Sequence, residues 1–173
     1  MKRTTLTHIF CLDDHKSFSE DVRKRFSDQE RYIVSVCHNR VDFLKQLIRE
    51  KEQGYCKVAI LGLHESKENL EMIYHLTTDI KNADRSIGII ILSPPETIAE
   101  TRRSIRFNID AYIPRNANTI LRIHNTVKKL NSEHNLSVFR RKRNFSLYVL
   151  IAFLVISFLF AIFSYLRLPA FFG

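Results

Sequence analysis

Between Phe145 and Leu166 the chain runs 22 residues without a charge, FSLYVLIAFLVISFLFAIFSYL. At a rise of ~1.5 Å per residue, a helix of that length is roughly 33 Å long, which suffices to cross a hydrocarbon core of about 30 Å. Fifteen of the 22 residues are Leu, Ile, Val or Phe. At roughly −0.3 to −0.6 kcal/mol each near the bilayer centre, they outweigh the serines and tyrosines among them. A core helix of a soluble protein rarely continues so far without a polar face, and a secretory signal would stand at the other end of the chain. The expectation is one transmembrane helix over residues 145–166.

Its flanks set the orientation. Arg140, Arg141, Lys142 and Arg143 precede the run and only Arg167 follows it, so the positive-inside rule keeps the N-terminal part in the cytoplasm and leaves 167–173 as a short non-cytoplasmic tail. Each of the four basic residues also gains about 1 kcal/mol against anionic headgroups. Tyr148 and Tyr165 fall near the two ends, where aromatic rings favour the interface. Ser157, Ala161 and Ser164 lie on one helical face and are small enough for close packing against another helix, although such residues occur in any span.

Upstream, charged and apolar residues mix as in a water-soluble domain, expected over residues 1–130. Asn131 to Val138 is polar and reads as a loosened helix end or a linker, so a polar then basic stretch, 131–144, is expected to join the domain to the span. The net charge of +9 calls for an anionic partner to be considered. The three cysteines, Cys11, Cys37 and Cys56, are odd in number and lack metal-type spacing. They read as buried, reduced thiols in a reducing compartment.

Five β-rich runs alternate with helical patterns. His8 to Leu12, Tyr32 to Cys37, Val58 to Leu63, Ile87 to Leu92 and Ala111 to Ile113 read as strands. Runs such as VAIL and IGIIIL are apolar without alternation, as in parallel strands covered on both faces. Ser17 to Phe26, Val41 to Glu52, Glu68 to Asn82, Glu96 to Phe107 and Asn118 to Leu130 carry helical apolar spacing. The pattern predicts a doubly wound, five-stranded parallel α/β sheet with helices on both faces. Ligands of such sheets gather at the carboxyl ends of the strands. Those ends carry Asp13 and Asp14, Gly62 and His64, Ser93, and Arg115. Two adjacent carboxylates suit a hard divalent cation, and a hydroxyl with a cation suits a phosphoryl group.

These residues resemble the receiver domain of bacterial response regulators over about Thr5 to Leu130. LDDH at Leu12 to His15 is similar to the family's acidic pair. ILSPPE at Ile91 to Glu96 is similar to the fourth-strand end, with Ser93 at its hydroxyl position. DAYIPRN at Asp110 to Asn116 is similar to the fifth-strand motif, with Tyr112 at the aromatic switch position. The resemblance implies a phosphoacceptor aspartate at the end of the third strand, where this chain reads ILGLHES and has Gly62. Glycine carries no nucleophile. The loss of a carboxylate also leaves at most residual Mg²⁺ binding at Asp13 and Asp14, and Arg115 replaces the family's lysine. The domain therefore resembles a pseudo-receiver with no cofactor and no catalytic residue.

Rescue by Asp13, Asp14, His64 or Glu65 as an unorthodox acceptor is one alternative, and sensing of a small anionic ligand through Arg115 and Ser93 is another. The resemblance further implies a docking or homodimer face, which here would hold Arg102, Arg103, Arg106, Arg122, Lys128 and Lys129. No helix-turn-helix follows, so nucleic acid is not an expected partner. The expectation is a non-enzymatic adaptor or membrane-complex subunit at the cytoplasmic face of a bacterial inner membrane.

Overall fold

A computed structural model describes residues 6–50, 55–62, 67–105 and 109–167. The chain divides into two compact units, Met1–His134 and Asn135–Gly173.

The first unit is the predicted α/β sheet. Its elements run β1 (Thr7–Leu12), α1 (Lys16–Arg25), β2 (Tyr32–Cys37), α2 (Arg40–Arg49), β3 (Cys56–Gly62), α3 (Lys67–Ala83), β4 (Gly88–Ser93), α4 (Ile98–Ser104), β5 (Ala111–Pro114) and the start of α5 (Thr119–Arg167). The strands are all parallel in the order β2-β1-β3-β4-β5. Successive strand residues point to opposite faces, and both faces are covered. Phe10, Ala59, Leu61, Ile89 and Ile91 pack with Phe43 and Leu47 of α2 and with Ile73, Leu76 and Ile80 of α3. Ile9, Cys11, Val58, Ile60 and Ile90 pack with Val22 of α1 and with Ile123 and Val127 of α5. Helices α1 and α5 thus cover one face, and α2 and α3 the other. Burial on both sides is why β4 carries no alternation: all six of its residues are buried.

The boundaries differ from expectation where polar residues intervene. Strand β3 begins two residues earlier, at Cys56, because the polar Lys57 is buried on it beside Asp84. Helix α4 begins only at Ile98, since Pro94 to Thr97 form a turn with Thr97 N–H donating to the Pro94 carbonyl at 3.2 Å. The two edges of the sheet are unequal. β2 is six residues long with Ile33 39% exposed, whereas β5 is four residues long and ends in Pro114.

The expected linker over 131–144 is helical, as part of α5. Its sequence is polar but holds neither proline nor glycine. A Lys129–Glu133 pair at 3.9 Å and the Ser132 hydroxyl donating to the Lys128 carbonyl at 3.0 Å occupy its first turns. In the second unit this helix is long and apolar enough to cross a membrane, with a mean hydropathy of 2.7 over its most apolar stretch, none of which is buried within the protein.

Candidate functional site

The carboxyl ends of all five strands meet around Asp13. This residue follows β1, and its side chain is fully buried. One carboxylate oxygen, Oδ1, accepts the His15 backbone N–H at 2.9 Å and lies 3.3 Å from His15 Nδ1. The other, Oδ2, accepts from Nη2 of Arg115, which follows β5. The Asp13 carbonyl accepts from His38 Nδ1, just beyond β2, at 2.9 Å. Both carboxylate oxygens are therefore engaged by neighbouring side chains and backbone, and the local turn they help to make leads into α1.

Arg115 is held at several points. Its backbone N–H donates to the Ser93 carbonyl at the end of β4, at 2.9 Å. Its guanidinium carbon stands 5.3 Å from the centroid of the Phe18 ring on α1, within cation–π range. Its Nε is buried and has no hydrogen-bond partner among the described residues.

Gly62, at the end of β3, explains how the guanidinium reaches Asp13. A Cβ built on Gly62 would lie 2.9 Å from Asp13 Cγ and closer still to Asp13 Oδ2 and Arg115 Nη2. Real Cβ atoms essentially never come that near, so the ion pair occupies the space that any side chain at 62 would need. The position read from sequence as an absent acceptor is, in the fold, the room that lets β1 and β5 join.

Ser93, at the end of β4, turns its hydroxyl toward the start of α4. It is buried, and its hydroxyl lies 2.9 Å from Thr97 Oγ1 and 3.2 Å from Thr101 Oγ1, the latter on α4. Hydroxyls at 93, 97 and 101 stand four apart, a helical spacing visible in the sequence. Asp14 is exposed. His64 and Glu65 lie outside the described residues, as does Arg106.

A Mg²⁺ ion, which the receiver resemblance implies, does not fit these residues. Such an ion needs near-octahedral oxygen ligands at about 2.0–2.1 Å. Position 62 offers none, and both oxygens of Asp13 are already bonded within the protein. Among the described residues no group of three or more His, Cys, Asp or Glu side chains is placed to hold a metal.

Tyr112, on β5, is half-buried and donates its hydroxyl to the Ile105 carbonyl at the end of α4. Burial raises its phenol above the ordinary value, against a smaller opposing effect of Arg102. Tyr112, Ile98, Ala99, Ile109, Arg102 and Arg103 line a surface groove between α4 and β5. On α5, Arg122, Lys128 and Lys129 are exposed. Arg25 of α1 donates to His124 at 3.3 Å, which marks the side of α5 that faces α1. At 100° per residue Arg122 and Lys129 fall on the opposite side, toward the β5 edge, and Lys128 does not.

The thiols are inert structural groups. Cys11, Cys37 and Cys56 are free and buried. Burial pushes Cys11 and Cys56 up to about 12 and raises Cys37 as well, so little thiolate forms.

In the second unit, Arg140 and Arg143 are exposed, while the side chains of Arg141 and Lys142 lie outside the described residues. Ser157 and Ala161 are exposed and Ser164 is half-exposed.

No family model and no curated protein matches this sequence. Solved structures do. A response regulator receiver domain protein from Clostridium thermocellum aligns with a TM-score of 0.62 at 13% identity, over 76% of this chain and 98% of the other. A protein described as an adenylate cyclase from Rhodopirellula baltica aligns at 0.61 and 9% identity, over 78% and 94%. A CheY-like protein, tadZ, from Pseudomonas aeruginosa aligns at 0.53 and 13% identity, over 72% and 98%. The first unit has the receiver fold.

Proposed function

We propose that this chain is a non-catalytic, phosphorylation-independent pseudo-receiver, held at the cytoplasmic face of a bacterial inner membrane by its apolar helix. There it serves as a protein-docking adaptor or accessory subunit of a membrane assembly, such as secretion, motility or transport machinery. The observation that carries this reading is the state of the pocket. The acceptor position is a glycine, and the space above it is taken by the Asp13–Arg115 ion pair. A receiver fold with no nucleophile at position 62 and no room for a side chain there keeps its surfaces and loses the chemistry of that position.

The surface that supports docking is the basic edge formed by Arg102 and Arg103 on α4 with Arg122 and Lys129 on α5. It suits a partner with an acidic face, and like-signed partners would be rejected. Anchoring supports the adaptor reading, because tethering two molecules in one membrane raises their effective concentration. The exposed apolar helix and the basic residues preceding it support the anchor and its orientation.

The test uses the full chain purified in mild detergent. Incubated with Mg²⁺ and a small phosphodonor, it is expected to show no gain in intact mass. A stable gain, lost on changing His64 or Asp14, would restore phospho-signalling. From native membranes the chain is expected to carry defined partner proteins with it, and R102E together with R103E to release them. Emergence as a lone monomer sinks the adaptor reading.

A further inference from the structure

We infer that Arg115 is the pocket's resident cation: its guanidinium takes the charge-balancing place of a bound divalent ion and closes the pocket to added metal. Asp13 is a carboxylate with a fully buried side chain, and a buried carboxylate needs a counter-charge and hydrogen-bond donors. Magnesium would supply the charge from solvent, reversibly. Arg115 supplies it from the chain itself, permanently, because a guanidinium is not deprotonated in proteins.

Three separate contacts hold the guanidinium at this post. The backbone of Arg115 is tied to the β4 end through the Ser93 carbonyl, and its guanidinium stands over the Phe18 ring and bonds Asp13 Oδ2. Gly62 belongs to the same device. Its missing Cβ is the volume the ion pair occupies, so glycine at 62 and arginine at 115 act as one paired change. A lysine at 115 would place a compact, strongly hydrated charge where the planar fork now bonds Asp13. His15 completes the closure by engaging Oδ1. Each oxygen of Asp13 already carries a protein donor, and the positive charge of Arg115 stands beside Oδ2, where it repels an approaching cation.

This goes past the non-catalytic reading of the pocket and rests on it, yet the two fail separately. Phosphorylation decides the first, and cation binding decides the second. The probe is Mn²⁺, which has a readable spin-resonance signal and the same preference for oxygen ligands. The full chain in detergent is expected to leave the free Mn²⁺ signal undiminished up to millimolar concentration. Arg115→Met uncovers Asp13 and is expected to bind Mn²⁺ at least tenfold more tightly than the wild type, with a Tm that rises on adding MgCl₂. Adding Asp13→Asn to that variant is expected to abolish both gains, which separates this pocket from binding elsewhere. Should Arg115→Met fail to fold, Arg115→Lys carries the same titration, with an affinity between the two expected. Equal Mn²⁺ affinity in wild type and the Arg115 variant, or a variant Tm indifferent to MgCl₂, overturns the inference.

Discussion

Two buried ion pairs sit at opposite ends of the same sheet, and they are built differently. At the amino ends of the strands, Lys57 Nζ on β3 meets Asp84 Oδ2 at 3.0 Å, with the two side chains 3% and 16% exposed. Asp84 also accepts the Ser86 N–H and hydroxyl at 2.9 and 2.6 Å, so this carboxylate is bonded within the turn before β4. At the carboxyl ends, Asp13 and Arg115 are separated by 102 residues of chain and meet across a glycine. The first pair is a local seal: it neutralises a lysine that the strand had to bury. The second draws together the ends of the sheet at the place where this fold keeps its chemistry. Similar components therefore give a stabilising turn in one case and a closed pocket in the other.

The largest effect is expected at the turn. Asp84→Asn takes one carboxylate charge away from the buried Lys57 ammonium and should cost about 3 kcal/mol in urea unfolding. Adding Lys57→Met should recover most of that loss; no recovery would mean that Asp84 matters through its turn alone. Burial raises the Asp84 carboxyl, but the hydrogen bonds from Ser86 and the charge and hydrogen bond of Lys57 lower it further, so it titrates below its ordinary value. Its contribution is complete above the unfolded-state value of 3.8 and is lost as pH falls through the lower folded-state value.

A smaller effect is expected at the pocket. Gly62→Ala drives a methyl into the ion pair and should cost about 1–3 kcal/mol. Gly88→Ala is the control. Its Cβ would meet Leu130 Cδ1 at 2.8 Å, the far end of a flexible side chain that can give way, so the change should cost less than Gly62→Ala. Equal costs at the two glycines would remove the special role of position 62.

The smallest effect is a slope with pH at the Lys57 end. His8 is cross-strand to Lys57, stacks on Phe10 with ring centroids 4.1 Å apart, and lies 2.8 Å through Nε2 from the Ser35 hydroxyl. Burial lowers its pKa, Glu50 opposes this, and Lys57 adds to it. A lowered folded-state value means that the unfolded chain takes up the proton first. Stability should therefore fall as pH drops through about 6.5 and level off below the folded-state value. His8→Gln should flatten that slope in a urea midpoint series; an unchanged slope assigns it to another group.

The order of elements was legible because parallel strands covered on both faces leave long apolar runs, and β4 with its Ile89, Ile90 and Ile91 is the plainest case. The loss of an acceptor at Gly62 was legible too, since one residue type decides it. What fills the loss was not, because Arg115 and Asp13 are distant in sequence and only the closed sheet brings them together. The hydroxyl partners of Ser93 follow from α4 starting late, after two prolines, which the motif around Ser93 does not show. The start of β3 was hidden by Lys57, whose burial depends on Asp84 27 residues away. The polar stretch from Asn131 left a helix end and a linker both open, and the absence of proline and glycine in 131–144 is what lets α5 run through it.

The unequal edges of the sheet have a consequence for self-association. An exposed edge strand is a template on which another chain can add by main-chain hydrogen bonding. β5 offers four residues, and its last, Pro114, has no N–H to give. β2 offers six, with Ile33 turned outward and Val34 and Val36 half-buried. Aggregation of this domain on heating should therefore grow from β2, and a lysine at position 33 would be the gatekeeper to install.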